Sequence, residues 1–251
     1  GTNGKTSCCW LLSDLLSRLG QRTGFIGTLG YGLGEADCIS RENMHKTTLT
    51  TPDSITLHKI LAKLESAGAK GVALEASSHA LKQARLEGID VNTAVFTNLS
   101  RDHLDYHQDM ESYGDAKSRL FTMPSIEYAI VNLDDAYSHQ LIKKIDSRVK
   151  IITYSIDDTS ADVYCHNINL SVNGISAELI SPWGQGKLRS PLIGQFNLAN
   201  LLAVAAVCAS QYPLSEVLAA LPALKPPSGR MELINGSVKP GVVVDFAHTP
   251  D

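Results

Sequence analysis

The sequence predicts an α/β fold, in which helices flank a mostly parallel sheet and a small antiparallel β excursion is added. Two observations predict this class. Short apolar runs of strand length alternate with amphipathic helical segments through the first 154 residues, as in parallel sheets. From residue 161 to 191, apolar and polar residues alternate around Asn173-Gly174 and Trp183-Gly184, which indicates antiparallel hairpins.

The individual elements follow from periodicity and from start and stop signals. The helix predicted at 7–19 has apolar residues at helical spacing, and the helix at 53–67 starts after Thr51-Pro52. Parallel strands are predicted where a short apolar run ends at a polar residue or a glycine. The predicted strands are 23–27, 71–75, 93–97, 128–132 and 150–154, and the other predicted helices are 110–120, 136–144, 196–210 and 214–221.

A change of composition near the end of the chain predicts a domain boundary. Pro222, Pro226, Pro227 and Gly229 are typical of a linker, and the run 241–246 after them has the pattern of a new strand. We therefore expect residues 1–227 to form one domain that lacks its N-terminal strand. Residues 228–251 would be a linker and the first strand of a truncated second domain.

Charge and cysteine content exclude several classes of protein. The net charge is −4 without a basic run, so we expect neither a nucleic-acid nor a membrane-surface partner. The longest apolar stretch, 198–209, is too short to span a bilayer. Five cysteines without a CxxC motif favour buried thiols and a reducing cytoplasm rather than disulfides. They are Cys8, Cys9, Cys38, Cys165 and Cys208.

The first seven residues predict a phosphate-binding loop. Glycines allow backbone amides to approach phosphate oxygens, and the following helix contributes a favourable dipole. In such a loop, Lys5 reaches the β- and γ-phosphates and the Thr6 hydroxyl binds Mg²⁺. The alternative is an ordinary turn with a solvated lysine. The predicted sheet is thus of the P-loop type, and the loop comprises Gly1, Thr2, Asn3, Gly4, Lys5, Thr6 and Ser7.

Polar side chains follow two of the predicted parallel strands, where ligands bind in such sheets. Glu75 ends one strand and could hold Mg²⁺, although a surface acid or a helix cap would look the same. The polar segment 97–107 follows the next strand. Its His103 and His107 lie at zinc-binding spacing, but the glutamate of zinc proteases is absent, so His103 is interpreted as a ligand near Mg²⁺ or phosphate. Lys117 by itself is an ordinary surface lysine.

Taken in order, these motifs resemble the Mur ligases of peptidoglycan synthesis over essentially the whole chain. The resemblance is greatest to the branch that adds the third amino acid of the peptide. Ala80 and Phe246 depart from the family pattern, where glycine and tyrosine are usual. The segments that carry the resemblance are Gly1–Thr6, Glu75–His79, Thr97–His107, Gly194–Asn200, Gly229–Glu232 and Asp245–Asp251.

The resemblance implies roles for individual residues. ATP would be bound by the loop together with Asn98, Asn197, Asn200, Arg230 and Asp245, the two asparagines of the Gly194–Asn200 segment reading adenine. Mg²⁺ would be held by Thr6, Glu75, His103 and Lys117. Lys117 would first be carbamylated by CO₂, and Lys5, Lys117 and His103 would act in catalysis. The UDP-muramoyl-dipeptide would contact Thr50, Thr51, Ser77, Gln83 and Arg85.

The implied function is an ATP-dependent ligase of the acid–amino-acid type. It would join a diamino acid, meso-diaminopimelate or L-lysine, to UDP-N-acetylmuramoyl-L-Ala-D-Glu through an acyl-phosphate. We expect a cytoplasmic monomer and an isolated 251-residue chain without ligase activity. The alternatives are a ligase resembling folylpolyglutamate synthase or cyanophycin synthetase, and a P-loop module that hydrolyses nucleotide without an acceptor.

Overall fold

A computed structural model describes residues 1–34, 43–234 and 242–245. The first element is the helix α1 (Lys5–Arg18), which follows the loop of residues 1–4. A hairpin of β1 (Thr23–Gly27) and β2 (Gly30–Leu33) comes next. The hairpin was not predicted, because Gly30 and Gly32 make β2 read as a loop. Strand β1 has the predicted bounds.

Five strands run parallel in two groups, which confirms the predicted α/β class. β3 (Gly71–Leu74) pairs with β1 in parallel, whereas β2 pairs with β1 antiparallel. In the second group, β4 (Thr93–Phe96), β5 (Tyr128–Asn132) and β6 (Lys150–Tyr154) form a parallel sheet in this order. A cavity lined by both β3 and β4 lies between the two groups.

The helices connect these strands. α2 (Ser54–Ser66) starts at Asp53, whose carboxylate accepts a hydrogen bond from Thr56 N, as expected of an N-cap. Two short helices, α3 (Ser78–Lys82) and α4 (Leu104–His107), follow β3 and β4 and carry residues of the candidate site. The other helices are α5 (Met110–Ser118), α6 (Ser138–Ile142), α7 (Gln195–Ala209) and α8 (Leu214–Ala220).

Apolar side chains cover both faces of the parallel strands. Successive residues of a strand point to opposite faces. Phe25 and Ile130 pack into a cluster with α1 and α7, whereas their neighbours Ile26 and Val131 belong to two other clusters. Helices therefore flank the sheets on both sides, as predicted.

The antiparallel excursion is present and adds a three-stranded sheet. β7 (Tyr164–Ser171), β8 (Gly174–Ser181) and β9 (Gly184–Ser190) pair in sequence order, with turns at the two predicted positions. A short pair, β10 (Glu232–Ile234) and β11 (Val242–Val244), follows the proline-rich segment. β11 coincides with the described part of the strand predicted at 241–246.

The described residues also bear on the predicted surroundings. Among them, no helix has the length and apolarity needed to cross a membrane. Cys8, Cys9, Cys165 and Cys208 are free thiols, and all but Cys9 are buried. Cys38 and the segment 246–251 lie outside the described residues.

Candidate active site

A cleft of about 1060 Å³ opens where the loops after β1, β3, β4 and β5 meet. Residues from the start of α1 and α7 and from the segment before β10 complete its wall. The carboxyl ends of parallel strands are the usual place for a ligand in such sheets. Nearly all residues assigned from the sequence line this cleft. The exceptions are Gly1, which lines the cavity between β3 and β4, and the exposed Gln83, which accepts a hydrogen bond from Arg85.

The predicted phosphate loop has the backbone that its glycines permit. Gly4 is the N-cap of α1 and has φ of 81°, in the left-handed region that glycine tolerates. A Cβ at Gly4 would lie 2.7 Å from Asn200 Oδ1, so a larger residue would have to push the Asn200 side chain aside. The loop is thus held between the helix that it starts and the polar beginning of α7.

Asn98 fastens the loop to the end of β4. Its Oδ1 accepts hydrogen bonds from Thr2 N at 3.0 Å and Asn3 N at 2.7 Å. The neighbouring Thr97 hydroxyl donates to Asn3 O at 2.6 Å. These contacts indicate that Asn98 shapes the loop. Asn98 also lines the cleft, and its expected contact with the nucleotide stays a prediction.

Lys5 is folded back onto the loop. Its Nζ donates to Thr2 O at 2.6 Å and to Gly1 O at 3.1 Å. Burial lowers the pKa of the Lys5 ammonium, and Glu75 opposes this shift. The loop carbonyls therefore hold the cation at the cleft wall, where it is available to a phosphate.

Glu75 is a buried carboxylate, 1% exposed, with three hydrogen-bond donors around it. Thr28 N donates to Oε1 at 2.9 Å, and the hydroxyls of Thr28 and Thr6 donate to Oε2 at 3.2 and 3.1 Å. Burial raises the pKa of this carboxyl, and the Thr28 backbone N–H is the largest opposing effect. The carboxylate is therefore positioned beside the hydroxyl predicted to bind Mg²⁺.

The donor set in the cleft fits Mg²⁺ better than a transition metal. Glu75 and Thr6 offer hard oxygen atoms 3.1 Å apart, and Mg²⁺ is usually held by one or two carboxylates together with substrate phosphates. Among the described residues, no group of three or more His, Cys, Asp or Glu side chains could hold a metal ion.

Lys117 lies in the same cleft, on α5, and is only 6% exposed. Its Nζ lies 4.2 Å from the centre of the Tyr113 ring, one helical turn earlier. Burial lowers the pKa of the Lys117 amine well below its usual value, and the nearby Lys5 lowers it further. The interpretation of Lys117 as an ordinary surface lysine, made from the residue alone, is therefore wrong.

The histidines divide into exposed and buried ones. His103 starts α4 with φ of 54°, and its Nε2 lies 3.4 Å from Asp102 Oδ2. His107 is 1% exposed and its Nε2 pairs with Ser78 Oγ at 2.9 Å. Burial lowers the pKa of His107 to about 4. His103 faces the cleft, as expected, whereas His107 is a neutral core residue.

The residues assigned to the acceptor substrate surround the loop after β3. Arg85 donates to Thr51 O at 2.6 Å, and Gln83 Oε1 accepts from Arg85 Nε at 2.9 Å. Thr51 is fully buried, and its hydroxyl donates to Glu75 O at 2.5 Å. Thr51 is thus bonded to the backbone of Glu75, and Gln83 to the guanidinium of Arg85. Thr50, Thr51, Ser77 and Arg85 line the cleft.

The residues assigned to adenine lie in the first two turns of α7 and line the cleft. Asn197 and Asn200 are 4% and 6% exposed, and their amides already have protein partners. Asn197 Nδ2 donates to Ile193 O at 2.8 Å, and Cys8 Sγ donates to Asn200 Oδ1 at 3.2 Å. Arg230 and Asp245 line the cleft as well, and Asp245 Oδ1 accepts from Met231 N at 3.1 Å.

Two residues of the site were missed by sequence reasoning. Thr28 holds Glu75 from the tip of the β1–β2 hairpin. Tyr113 is fully buried, and its hydroxyl pairs with Thr2 Oγ1 at 3.1 Å. The spacing of Tyr113 and Lys117 on one helix was the signal that could have identified the tyrosine.

Comparison with known proteins agrees with this arrangement. Residues 1–208 match the model of the Mur ligase middle domain. The chain is 48% identical over 253 residues to the UDP-N-acetylmuramoyl-L-alanyl-D-glutamate--2,6-diaminopimelate ligase of Ectopseudomonas mendocina (strain ymp). That alignment covers all of this chain and 50% of the relative, so the chain spans about half the length of the curated relatives it matches.

Solved structures show the same fold. A UDP-N-acetylmuramoyl-L-alanyl-D-glutamate--2,6-diaminopimelate ligase superposes with a TM-score of 0.85 at 38% identity, over 100% of this chain and 50% of that one. The folylpolyglutamate synthase of Mycobacterium tuberculosis, complexed with ADP, superposes with a TM-score of 0.70 at 20% identity, over 100% of this chain and 61% of that one. The second likeness shows the fold alone. With four-fifths of its length matched by the middle-domain model, the chain belongs to the Mur ligase family.

Proposed function

We propose that the chain is the ATP-binding part of a ligase that adds the third amino acid to UDP-N-acetylmuramoyl-L-Ala-D-Glu. The observation that carries the proposal is the single cleft shared by Lys5, Thr6, Glu75 and Lys117. Groups suited to binding phosphate and metal thereby share one cleft with Arg85, a cation suited to a carboxylate or phosphate. The relatives' printed names, which specify 2,6-diaminopimelate as the added amino acid, support this assignment.

The phosphate-transfer half of the reaction would rest on the loop and on Glu75. Lys5, which donates to the loop carbonyls, would bind the transferred phosphate together with the backbone N–H groups at the start of α1. Thr6 and Glu75 would hold Mg²⁺, which would neutralise charge on the phosphates. The carboxylate of the D-glutamyl residue then takes the γ-phosphoryl group and ADP leaves.

The second half would form the amide bond. The amine of the diamino acid attacks the carbonyl carbon of the acyl-phosphate, and the tetrahedral intermediate loses inorganic phosphate and a proton. His103 and Lys117 face the cleft where charge changes in this step. Asn197, Asn200, Arg230 and Asp245 would keep ATP in place.

Lys117 is suited to carbamylation by CO₂. An uncharged amine is required for attack on CO₂, and burial together with Lys5 lowers the pKa of this amine. The product is a carbamate with one negative charge, formed with release of a proton. It would relieve the repulsion from Lys5 and supply a second oxygen ligand near Glu75 and His103.

A hybrid enzyme tests the proposal, because the chain spans half of its relatives. The 251 residues replace the matching half of the Ectopseudomonas mendocina ligase, and release of phosphate from ATP is measured with and without UDP-muramoyl-dipeptide and diaminopimelate. We expect release to require both substrates. Release that ignores them would favour a nucleotide-hydrolysing module and contradict the proposal.

Lys117→Ala in the hybrid tests the carbamate. We expect a loss of activity of at least a hundredfold, partly restored by added acetate or formate. Lys143→Ala is the matched control, since Lys143 is exposed and lies outside the cleft. Near-normal turnover of Lys117→Ala would refute the role of the carbamate.

The remaining expectations concern the setting of the enzyme. The proposal includes three of them: residues 1–227 form the central domain, the enzyme is a monomer, and it is located in the cytoplasm. The buried thiols of Cys8 and Cys208 are compatible with a reducing compartment.

A further inference from the structure

A threonine at the tip of the β1–β2 hairpin contacts both the metal-binding side and the acceptor side of the cleft. Gly27 and Gly30 pair across the hairpin, which leaves Thr28 and Leu29 as the two residues of the turn. Thr28 is exposed on the cleft side. The turn itself does not require a threonine there, so its contacts suggest another reason for the hydroxyl.

The hairpin backbone lies against the Glu75 carboxylate. A Cβ at Gly27 would be 2.0 Å from Glu75 Oε1, so the strand can pass this closely only as glycine. The next N–H, that of Thr28, donates to Oε1 at 2.9 Å, and the Thr28 hydroxyl donates to Oε2 at 3.2 Å. Both carboxylate oxygens are therefore held by one residue.

The Thr28 hydroxyl also reaches the acceptor side of the cleft. Its Oγ1 lies 3.1 Å from Thr50 Oγ1. A continuous series of contacts thus runs from Thr6 in the phosphate loop through Glu75 and Thr28 to Thr50. Both ends of this series, Thr6 and Thr50, line the cleft.

Each threonine hydroxyl has one hydrogen to donate, which fixes the direction of these bonds. The Thr28 hydroxyl has a single hydrogen, and it donates this hydrogen to Glu75 Oε2. Between the two threonines, Thr50 must then be the donor. The only hydrogen of the Thr50 hydroxyl is thus donated to Thr28, and the Thr50 oxygen offers only lone pairs to a ligand in the cleft. Thr50 is therefore an acceptor that favours an N–H group of a ligand over a carbonyl oxygen.

We infer that Thr28 is a positioning residue that holds the Glu75 carboxylate and orients Thr50 to accept a hydrogen bond from an amide N–H of the peptide substrate. This inference rests on the proposed function, whose substrate carries such amides. Thr28 thereby affects both metal binding and substrate choice.

Two substitutions separate the hydroxyl from the shape of the residue. Thr28→Val keeps the branched side chain and the backbone N–H but removes the hydroxyl, whereas Thr28→Ser keeps the hydroxyl. Thermal unfolding of both variants shows whether they remain folded.

The first readout is metal binding, measured on the hybrid enzyme by the electron paramagnetic resonance of Mn²⁺ in the presence of ATP. We expect about tenfold weaker Mn²⁺ binding in Thr28→Val, as the loss of one hydrogen bond to a charged group would give. Thr28→Ser should bind like the wild type. Equal binding by a folded Thr28→Val and the wild type would overturn the role at Glu75.

The second readout is substrate choice in the hybrid enzyme. A depsipeptide analogue replaces one amide N–H of the UDP-muramoyl-dipeptide with an ester oxygen, and an analogue is made for each amide. The wild type and Thr28→Ser should prefer one amide over its ester about tenfold in kcat/KM. Thr28→Val should lose most of this preference, because Thr50 is then free to donate to the ester oxygen.

The outcomes distinguish the inference from the proposed function. An unchanged preference in Thr28→Val would overturn the orientation of Thr50, while ligation itself would stand. A wild-type hybrid that ligates neither substrate would contradict the proposed function. The Mn²⁺ comparison would still decide whether Thr28 positions Glu75.

Discussion

Replacing Asn98 tests whether this residue shapes the phosphate loop or contacts ATP. Asn98→Ala removes the acceptor of two backbone N–H groups, those of Thr2 at 3.0 Å and Asn3 at 2.7 Å. A hydrogen bond of this kind contributes about 1 kcal/mol net, so the pair should contribute about 2 kcal/mol to the free energy of unfolding. Thr2 N keeps one bond, to Asn98 O at 2.9 Å, which limits the loss.

Asn98→Asp is the matched variant. Its carboxylate retains the acceptor for both N–H groups, so the free energy of unfolding should change by less than about 1 kcal/mol. The added negative charge would instead face the phosphates and weaken ATP binding by about tenfold or more. Urea unfolding and calorimetric titration with ATP measure the two effects separately.

The two variants should therefore fail in different ways. Asn98→Ala should lose stability, and Asn98→Asp should lose mainly affinity. If Asn98→Ala unfolds at the urea concentration of the wild type but no longer binds ATP, then Asn98 acts through the nucleotide and the account of a loop-shaping residue is refuted.

Two further changes test the surroundings of the cleft. Gly27→Ala places a Cβ 2.0 Å from Glu75 Oε1 and should cost about 1–3 kcal/mol in urea unfolding and weaken Mn²⁺ binding. Gly71→Ala is its control, because the added Cβ meets the flexible end of Gln21 at 3.0 Å. An equal loss of stability in both variants would argue against the contact with Glu75. Burial lowers the pKa of His107 from 6.5 to about 4. As the pH falls, the unfolded chain therefore takes up a proton before the folded chain does, and the free energy of unfolding declines between pH 6.5 and about pH 4. The melting temperature of His107→Gln should fall less steeply from pH 7 to pH 4, and parallel curves would show that His107 is not the cause.

The sequence predicted elements whose boundaries are set by local patterns. β1, β5 and β6 have the predicted bounds, since each is a short apolar run followed by polar residues or glycine. β2 was missed because its glycines break that pattern and its turn, Thr28-Leu29, lacks the usual Asn-Gly signal. β10 was missed because it is only three residues long.

The candidate site was predictable where its residues are adjacent in sequence or belong to a motif. The phosphate loop and Glu75 could be identified in this way, and the resemblance to Mur ligases supplied the rest. Contacts between distant residues could not be read from periodicity. Thr28 meets Glu75 across 47 positions, and Thr2 meets Tyr113 across 111. The burial that sets the pKa of Lys117 likewise depends on the packing of α5, which the sequence does not display.

The most direct test of the central claim follows an oxygen atom through the reaction of the hybrid enzyme. The D-glutamyl carboxylate of the UDP-muramoyl-dipeptide is labelled with ¹⁸O, and the released phosphate is analysed by mass spectrometry. Transfer of the γ-phosphoryl group to that carboxylate predicts one ¹⁸O atom in each phosphate that accompanies amide formation. Phosphate without ¹⁸O would contradict the account, because ATP would then have been hydrolysed by water and not by the substrate's carboxylate.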